Sequence, residues 1–304
     1  MMHAPWLRSC LTALALATSV ACASSPSVPA TPAAALSTPT PLLAATDHYF
    51  VSGDARLRYR DIGQGDPVIL LHGLTRSLAD WTGVADTLAR DHRVIALDVR
   101  GFGKSTRFSD PARLGSQMAA DIVRLLDHLG IPRAHLAGHS MGASIAAKVA
   151  TLHPDRVRSV TLMAGPFFED TTVFAKDEGG FAADVEQGRG MTRFLRWIFP
   201  AYPDSVIAAF NAEGLSTNDP ATIGAGMRSM DALMVLPSAA HRIRAPALVV
   251  VGAGDPLVPQ SRWLASWWPG AQLLEIPDAD HITVLYHPKV LSAMRSLMRV
   301  TASR

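Results

Sequence analysis

From residue 47 onward, short apolar runs alternate with longer segments in which apolar residues recur at helical spacing. The continuous apolar runs are 68–71, 94–97, 134–137, 160–163 and 247–251. Such runs are typical of strands that are buried on both faces. Segment 118–129 lies between two of them and places Asp121, Arg124 and Asp127 opposite its apolar face. This alternation predicts parallel strands joined by right-handed crossovers, hence an α/β protein with a doubly wound, mostly parallel sheet.

The remaining elements fit the same scheme. Further strands are predicted at Tyr49–Val51, Arg56–Tyr59 and Leu273–Ile276, and further helices at Leu78–Ala89 and Ala143–Thr151. In doubly wound sheets the chemistry lies beyond the carboxyl ends of the strands. We therefore expect the functional residues directly after the buried runs.

Composition excludes several classes of protein. The chain has 304 residues, of which 48% are hydrophobic, so it is long enough to bury a substantial core and is not disordered or fibrous. Its net charge is +2 without a long block of like charge, so no nucleic-acid partner is expected. Both cysteines, Cys10 and Cys22, lie near the N-terminus. The rest of the chain can therefore form neither a disulfide nor a thiolate metal site.

Residues 1–23 are predicted to be an export signal. Arg8 supplies one positive charge, Leu11 to Val20 is uncharged and mostly Leu and Ala, and Ala21-Cys22-Ala23 fits cleavage after Ala23. The apolar run is roughly half of the ~20 residues that span a bilayer as a helix. The segment is therefore expected to be a signal rather than a permanent transmembrane anchor.

A second interpretation of the N-terminus concerns lipidation. Ser19-Val20-Ala21-Cys22 resembles the lipobox of bacterial lipoproteins, although that family usually has an aliphatic residue where Ser19 stands. The resemblance implies a membrane tether through lipidated Cys22. Soluble export, a lipoprotein and an unprocessed N-terminus remain open; the first two place the protein in the periplasm or outside the cell.

Residues 24–46 are predicted to be a spacer. The segment is rich in Ala, Pro, Ser and Thr and carries no charge before Asp47. Recurrent prolines oppose a regular helix and favour extended chain. Such a segment either holds a folded domain away from a membrane or is a simple disordered leader.

The candidate nucleophile follows the buried run 134–137. Gly138-His139-Ser140-Met141-Gly142 is a G-x-S-x-G motif between a predicted strand and an apolar helix. In this context the motif forms a nucleophile elbow, in which a strained turn exposes the serine hydroxyl and the glycines permit close backbone approach. We therefore predict that Ser140 is a catalytic nucleophile.

At these residues the chain resembles the α/β-hydrolase superfamily. His72-Gly73-Leu74 looks like the family's oxyanion loop, and the resemblance makes the backbone N–H groups of Leu74 and Met141 the oxyanion donors. Segment 98–105 is similar to the family's D-x-R-G-x-G-x-S loop. It also imitates a phosphate-binding loop, but Asp98 stands where such a loop needs glycine, so nucleotide binding is rejected.

A serine nucleophile needs a base, and the base needs an orienting acid. Asp255 follows the buried run 247–251 and His281 follows the last predicted strand, in the family's order of serine, acid and histidine. We predict Asp255 as the acid and His281 as the base. Competing candidates are His72, more often structural in this loop, and Asp278 and Asp280 as acids; His139 is granted only a modest positioning role. No metal-binding motif is present, so no metal or other cofactor is expected.

Between residues 165 and 240 the alternation of predicted strands and helices stops, and aromatic residues are frequent. The resemblance implies an inserted helical lid at 165–240, with the hydrolase core formed by 47–164 and 241–304. The aromatic residues form either the lid's own core or a pocket over the serine. An aromatic-rich lid favours a hydrophobic small-molecule substrate.

The sequence thus predicts a serine esterase or lipase that acts through an acyl-enzyme. Lid-bearing relatives that open epoxides or remove halogens have aspartate where Ser140 stands, so those activities are not expected. A carbon–carbon bond hydrolase, a lactonase and a perhydrolase remain alternatives on the same triad. A non-catalytic binding module is a further alternative from another class, and no protein partner is predicted.

Overall fold

In a computed structural model of the protein, which describes residues 40–169 and 171–302, eight strands form one sheet. The strands are β1 His48–Ser52, β2 Ala55–Ile62, β3 Asp66–Leu71, β4 His92–Leu97, β5 Ala134–His139, β6 Val157–Met163, β7 Ala247–Gly252 and β8 Gln272–Ile276. Their order is β1-β2-β4-β3-β5-β6-β7-β8. Strand β2 is antiparallel to both of its neighbours, and all pairs from β4 to β8 are parallel. The predicted mostly parallel α/β sheet is confirmed.

Helices connect these strands. They are α1 Thr82–Leu88, α2 Ser116–His128, α3 Met141–Leu152, α4 Thr171–Glu186, α5 Thr192–Ile198, α6 Asp204–Thr217, α7 Pro220–Arg228, α8 Val258–Trp267 and α9 Pro288–Ala302. The helix predicted over Leu78–Ala89 differs in detail, because its first turn, Leu78–Trp81, is a 3₁₀ helix. Side chains hold that turn: Leu78 N–H donates to Asp98 Oδ1 at 2.8 Å, and the Ser77 hydroxyl accepts from Ala79 N–H.

The central strands are buried on both faces, as their apolar runs predict. In β3, Val68 and Leu70 pack in one hydrophobic cluster, whereas Ile69 and Leu71 pack in another. The first cluster includes residues of α1 and α9, and the second includes residues of α2, α3 and α8. Helices therefore cover both faces of the sheet, which is the doubly wound arrangement.

Four helices, α4 to α7, lie in the insertion between β6 and β7. Their apolar side chains form a third hydrophobic cluster, which includes Phe181, Leu195, Ile207 and Ile223. The insertion thus has a core of its own, one of the two roles expected for its aromatic residues. Its action as a lid, and the domain boundaries given above, remain predictions.

The export signal predicted at 1–23 and most of the predicted spacer lie outside the described residues. The last spacer residues are described, and Leu42–Ala44 form a 3₁₀ turn. Leu42 is fully buried, and its N–H donates to Asp86 Oδ1 at 2.6 Å. Arg60 donates to the carbonyls of Leu42 and Leu43 at 2.8 and 2.7 Å. The described part of the chain has no helix that is both long and apolar enough to cross a membrane.

Candidate active site

Ser140 lies in the turn between β5 and α3, as the motif predicts. Its φ is 53°, a strained value for a residue other than glycine. A Cβ on Gly142 would lie 2.1 Å from the Leu71 carbonyl oxygen, and one on Gly138 would lie 2.1 Å from the Gly142 carbonyl oxygen. The two glycines are therefore required because strand, turn and helix backbones approach too closely for any side chain.

The structure brings together His281 and Asp255, the residues predicted as base and acid. His281 Nδ1 and Asp255 Oδ2 are 2.9 Å apart, and both side chains are buried. Asp255 Oδ1 also accepts from the backbone N–H of Leu257 at 2.9 Å, which fixes the carboxylate. A hydrogen bond from Nδ1–H to the carboxylate favours the tautomer in which Nε2 can accept a proton.

His139 is tied to the backbone of His281. Its Nε2 donates to the His281 carbonyl oxygen at 2.7 Å, and the two rings are 5.0 Å apart. Burial, together with the neighbouring His281 ring, lowers the pKa of His139 to about 4. His139 is therefore neutral near pH 7 and holds the loop of His281 against the turn that carries Ser140.

The insertion contacts the same loop. The ring of Phe199 meets the His281 ring edge to face at 5.8 Å. Tyr202 donates from its hydroxyl to Asp280 Oδ2 at 2.6 Å, and Asp280 Oδ1 accepts from the N–H groups of Ile282 and Thr283 at 3.0 and 2.8 Å. Asp280 thus organises the loop after His281. Burial and this hydrogen bond raise the pKa of Tyr202 to about 12, so its hydroxyl stays protonated.

Ser140 and His281 line one cavity, which the insertion helps to form. Its apolar lining comprises Leu74, Met191, Phe194, Leu195, Ile198, Phe199, Phe210 and Ile282. Met191 precedes α5, Phe194 to Ile198 belong to it, and Phe210 belongs to α6. A hydrophobic group of a ligand can therefore pack directly beside the candidate nucleophile.

The two residues predicted as oxyanion donors, Leu74 and Met141, come from different segments of the chain. Leu74 lines the cavity, and Met141 is the first residue of α3, where a backbone N–H has no acceptor within the helix. Gly73 approaches Ser140 closely, since a Cβ on Gly73 would lie 3.3 Å from the Ser140 Cβ. The assignment of Leu74 and Met141 as donors stays a prediction of the resemblance.

The competing base and acid candidates have other partners. His72 is buried; its Nε2 accepts from Val99 N–H at 2.9 Å and its Nδ1 donates to the Gly73 carbonyl at 2.7 Å. Burial lowers the pKa of His72. Asp278 is exposed and lies 3.6 Å from His287 Nε2. Both ring nitrogens of His72 thus bind backbone groups, one at Gly73 and one at Val99, and Asp278 lies beside a different histidine.

The sequence reasoning missed two charged residues at the cavity, Arg76 and Glu213. Arg76 follows the oxyanion loop closely in the chain, and that proximity was a usable signal. Glu213 lies on α6, and no motif marks it. Among the described residues, no group of three or more His, Cys, Asp or Glu side chains is arranged to hold a metal ion.

Comparison with known proteins identifies the family of this chain. A family profile described as the alpha/beta hydrolase fold matches residues 66–288. The chain therefore belongs to the α/β-hydrolase-fold family. Its relatives in this family include hydrolases. The resemblance inferred from the motifs is confirmed.

Among curated relatives, the chain is similar to a dihydrolipoyllysine-residue acetyltransferase component of the acetoin cleaving system of Pseudomonas putida. The two are 31% identical over 76% of this chain and 63% of that relative, so the chain spans less than two thirds of its length. A 2-hydroxymuconate semialdehyde hydrolase of Pseudomonas sp. strain CF600 is 30% identical over 78% of this chain and 88% of that enzyme.

Among solved structures, the chain is similar to a thermophilic esterase from Thermogutta terrifontis. The TM-score is 0.70 and the identity is 26%, with 84% of this chain and 99% of the esterase covered. The similar proteins thus include a 2-hydroxymuconate semialdehyde hydrolase and an esterase.

Proposed function

We propose that the protein is a serine hydrolase that cleaves a carboxylic ester of a hydrophobic small molecule. The observation that carries the proposal is the shared cavity, in which Ser140 and His281 stand beside a largely apolar lining. The hydrogen bond from His281 to buried Asp255 and the similarity to the Thermogutta esterase support it.

In the proposed reaction, His281 Nε2 removes the proton from the Ser140 hydroxyl as Oγ attacks the ester carbonyl. Asp255 stabilises the resulting imidazolium and keeps its orientation. The N–H groups of Leu74 and Met141 donate to the oxyanion of the tetrahedral intermediate. His281 then gives its proton to the departing alcohol, which leaves an acyl group on Ser140.

Hydrolysis of the acyl-enzyme repeats the steps with water as nucleophile. His281 takes a proton from the water, hydroxide adds to the acyl carbonyl, and the proton returns to Ser140 Oγ as the acid departs. The protein is regenerated, and one ester and one water yield one acid and one alcohol. No other group is needed to balance the reaction.

The test is hydrolysis of p-nitrophenyl esters of graded acyl length by the purified protein. The apolar lining predicts turnover that rises from acetate towards medium chains and is lost in Ser140→Ala. Ser144→Ala is the matched control, because Ser144 lies one turn further along α3 and its buried hydroxyl has no partner among the described residues. No turnover at any chain length, or equal turnover in Ser140→Ala, would overturn the proposal.

Carbon–carbon bond hydrolysis is a second candidate on the same residues. The similarity to the 2-hydroxymuconate semialdehyde hydrolase, which extends over 88% of that enzyme, favours it. Loss of the yellow absorbance of a ring-fission product, without turnover of p-nitrophenyl esters, would select this candidate over the esterase.

A further inference from the structure

A second cavity adjoins the candidate active site. Thr75, Arg76 and Glu213 line both cavities, so the two are contiguous. The further lining of the second cavity is mostly polar and comprises Ser77, Ala79, Asp80, Gly103, Thr217, Asn218 and Tyr286. A ligand that places its hydrophobic part beside Ser140 can therefore extend a polar part into this second cavity.

The charges in the second cavity do not cancel. Asp80 binds the Arg76 guanidinium with both oxygens, at 2.8 Å from Nε and 2.7 Å from Nη2. Glu213 reaches only Nη1 of the same guanidinium, at 3.4 Å, and its side chain is 55% exposed. Two carboxylates thus share one cation, and the carboxylate of Glu213 keeps most of its hydrogen-bonding capacity.

A buried acceptor in the lining also lacks a partner. Asn218 is 4% exposed, and its Nδ2 donates to the carbonyls of Thr75 and Gly214 at 2.8 and 3.1 Å, which fixes the orientation of the amide. Its Oδ1 has no hydrogen-bond partner among the described residues. Because this oxygen is itself shielded from solvent, Asn218 acts as part of the cavity wall, where its amide ties Thr75 to α6.

We propose that this second cavity is a subsite for a positively charged group, such as a quaternary ammonium, on the alcohol part of the ester, with Glu213 as the residue that sets the charge preference. The inference rests on the proposed ester hydrolysis. The partly exposed carboxylate of Glu213 beside the reaction centre attracts a cation and repels a carboxylate on the same alcohol. Glu213 acts on specificity and takes no part in the transfer of protons at Ser140.

The experiment compares three butyrate esters whose alcohol parts differ in charge: cationic 2-(trimethylammonio)ethyl, its neutral isostere 3,3-dimethylbutyl, and anionic 3-carboxypropyl. For each variant, kcat/KM of the charged esters is divided by that of the neutral ester. The wild-type protein should prefer the cationic ester by about three- to tenfold and discriminate against the anionic ester by a similar factor, as for a partly exposed charge.

Glu213→Gln should bring both ratios close to one, and Glu213→Lys should reverse the preference. Glu275→Gln is the control, because Glu275 pairs with Arg262 and lines neither cavity. If the wild-type protein hydrolyses the neutral ester but the ratios do not respond to Glu213, the subsite is wrong and the proposed function stands. If p-nitrophenyl butyrate is hydrolysed but none of the three esters is, the subsite is wrong and the proposed function stands; if p-nitrophenyl esters are not hydrolysed either, both proposals fail.

Discussion

Tyr202 and Asp280 join the helical insertion to the loop that carries His281, through a hydrogen bond of 2.6 Å. The same carboxylate accepts from two backbone N–H groups directly after His281. The insertion therefore supports the position of the candidate base as well as lining the cavity.

Tyr202→Phe should lower kcat for ester hydrolysis roughly tenfold with a smaller change in KM, because a misplaced base affects the chemical step more than binding. Loss of a hydrogen bond to a carboxylate should also lower the free energy of unfolding by about 1.5–3 kcal/mol. Steady-state kinetics and urea denaturation measure the two effects. Tyr49→Phe is the control, since Tyr49 lies on β1 and its ring packs under the guanidinium of Arg56 on β2. An equal loss of kcat in Tyr49→Phe would contradict the positioning role of Tyr202.

Asp255→Asn should reduce kcat by about 10⁴-fold, because an amide no longer favours the histidine tautomer that accepts the serine proton. The fold should persist, since the amide oxygen can still accept from Leu257 N–H. Asp278→Asn should retain activity, because Asp278 is exposed and faces His287. A larger loss of kcat in Asp278→Asn than in Asp255→Asn would identify Asp278 as the orienting acid instead.

His139 should make stability sensitive to acid. Its pKa is lowered to about 4 in the folded protein, below the ordinary value of 6.5. Between these values the unfolded chain binds the proton more readily, so stability is full above pH 6.5 and falls as pH decreases towards 4. His139→Gln should flatten this fall by up to about 1.4 kcal/mol per pH unit. Urea denaturation at pH 4.5, 5.5 and 7 measures the slope, and an unchanged slope would contradict the assignment.

Gly142→Ala should prevent formation of the turn around Ser140, because the added Cβ would overlap the Leu71 carbonyl oxygen. The expected result is a large drop in the thermal unfolding temperature together with loss of activity. Gly83→Ala is the matched control: a Cβ there meets nothing within 4 Å, and Gly83 lies in α1. That variant should be neutral or more stable by about 0.5–1 kcal/mol, and a Gly142→Ala protein of wild-type stability would refute the close packing.

The N-terminal proposal concerns Cys22 and the predicted export signal. We propose that residues 1–23 direct export and that either cleavage after Ala23 or lipidation of Cys22 follows. Mass spectrometry of the mature N-terminus from a secreting bacterial host distinguishes the outcomes: Ser24 as first residue, or a diacylated or triacylated Cys22. A chain that keeps its first 21 residues in that host would contradict both outcomes.

The sheet could be predicted from the sequence because its central strands are buried on both faces. Continuous apolar runs such as Val68–Leu71 mark such strands directly, whereas the ends of β1 and β2 extend into mixed residues that the pattern does not distinguish. The meeting of Ser140, Asp255 and His281 could be predicted because each follows a predicted strand, and parallel strands bring their carboxyl ends to one edge of the sheet.

The contacts that the insertion makes could not be predicted from the sequence in this way. Glu213 reaches Arg76 across 137 positions of the chain only because α6 packs over the oxyanion loop. The hydrogen bond from Tyr202 to Asp280 depends on the same packing, and so does the contact of Phe199 with His281. Helix periodicity predicts that such helices exist, but the residues that meet across them are set by tertiary packing.

The central claim is that Ser140 is a nucleophile activated by His281. Reaction with a fluorophosphonate, followed by intact-mass measurement and peptide mapping, tests it most directly. We expect one adduct per chain, located on Ser140, with labelling abolished in Ser140→Ala and slowed by several orders of magnitude in His281→Ala. An unlabelled wild-type protein, or equal labelling of Ser140→Ala, would contradict it.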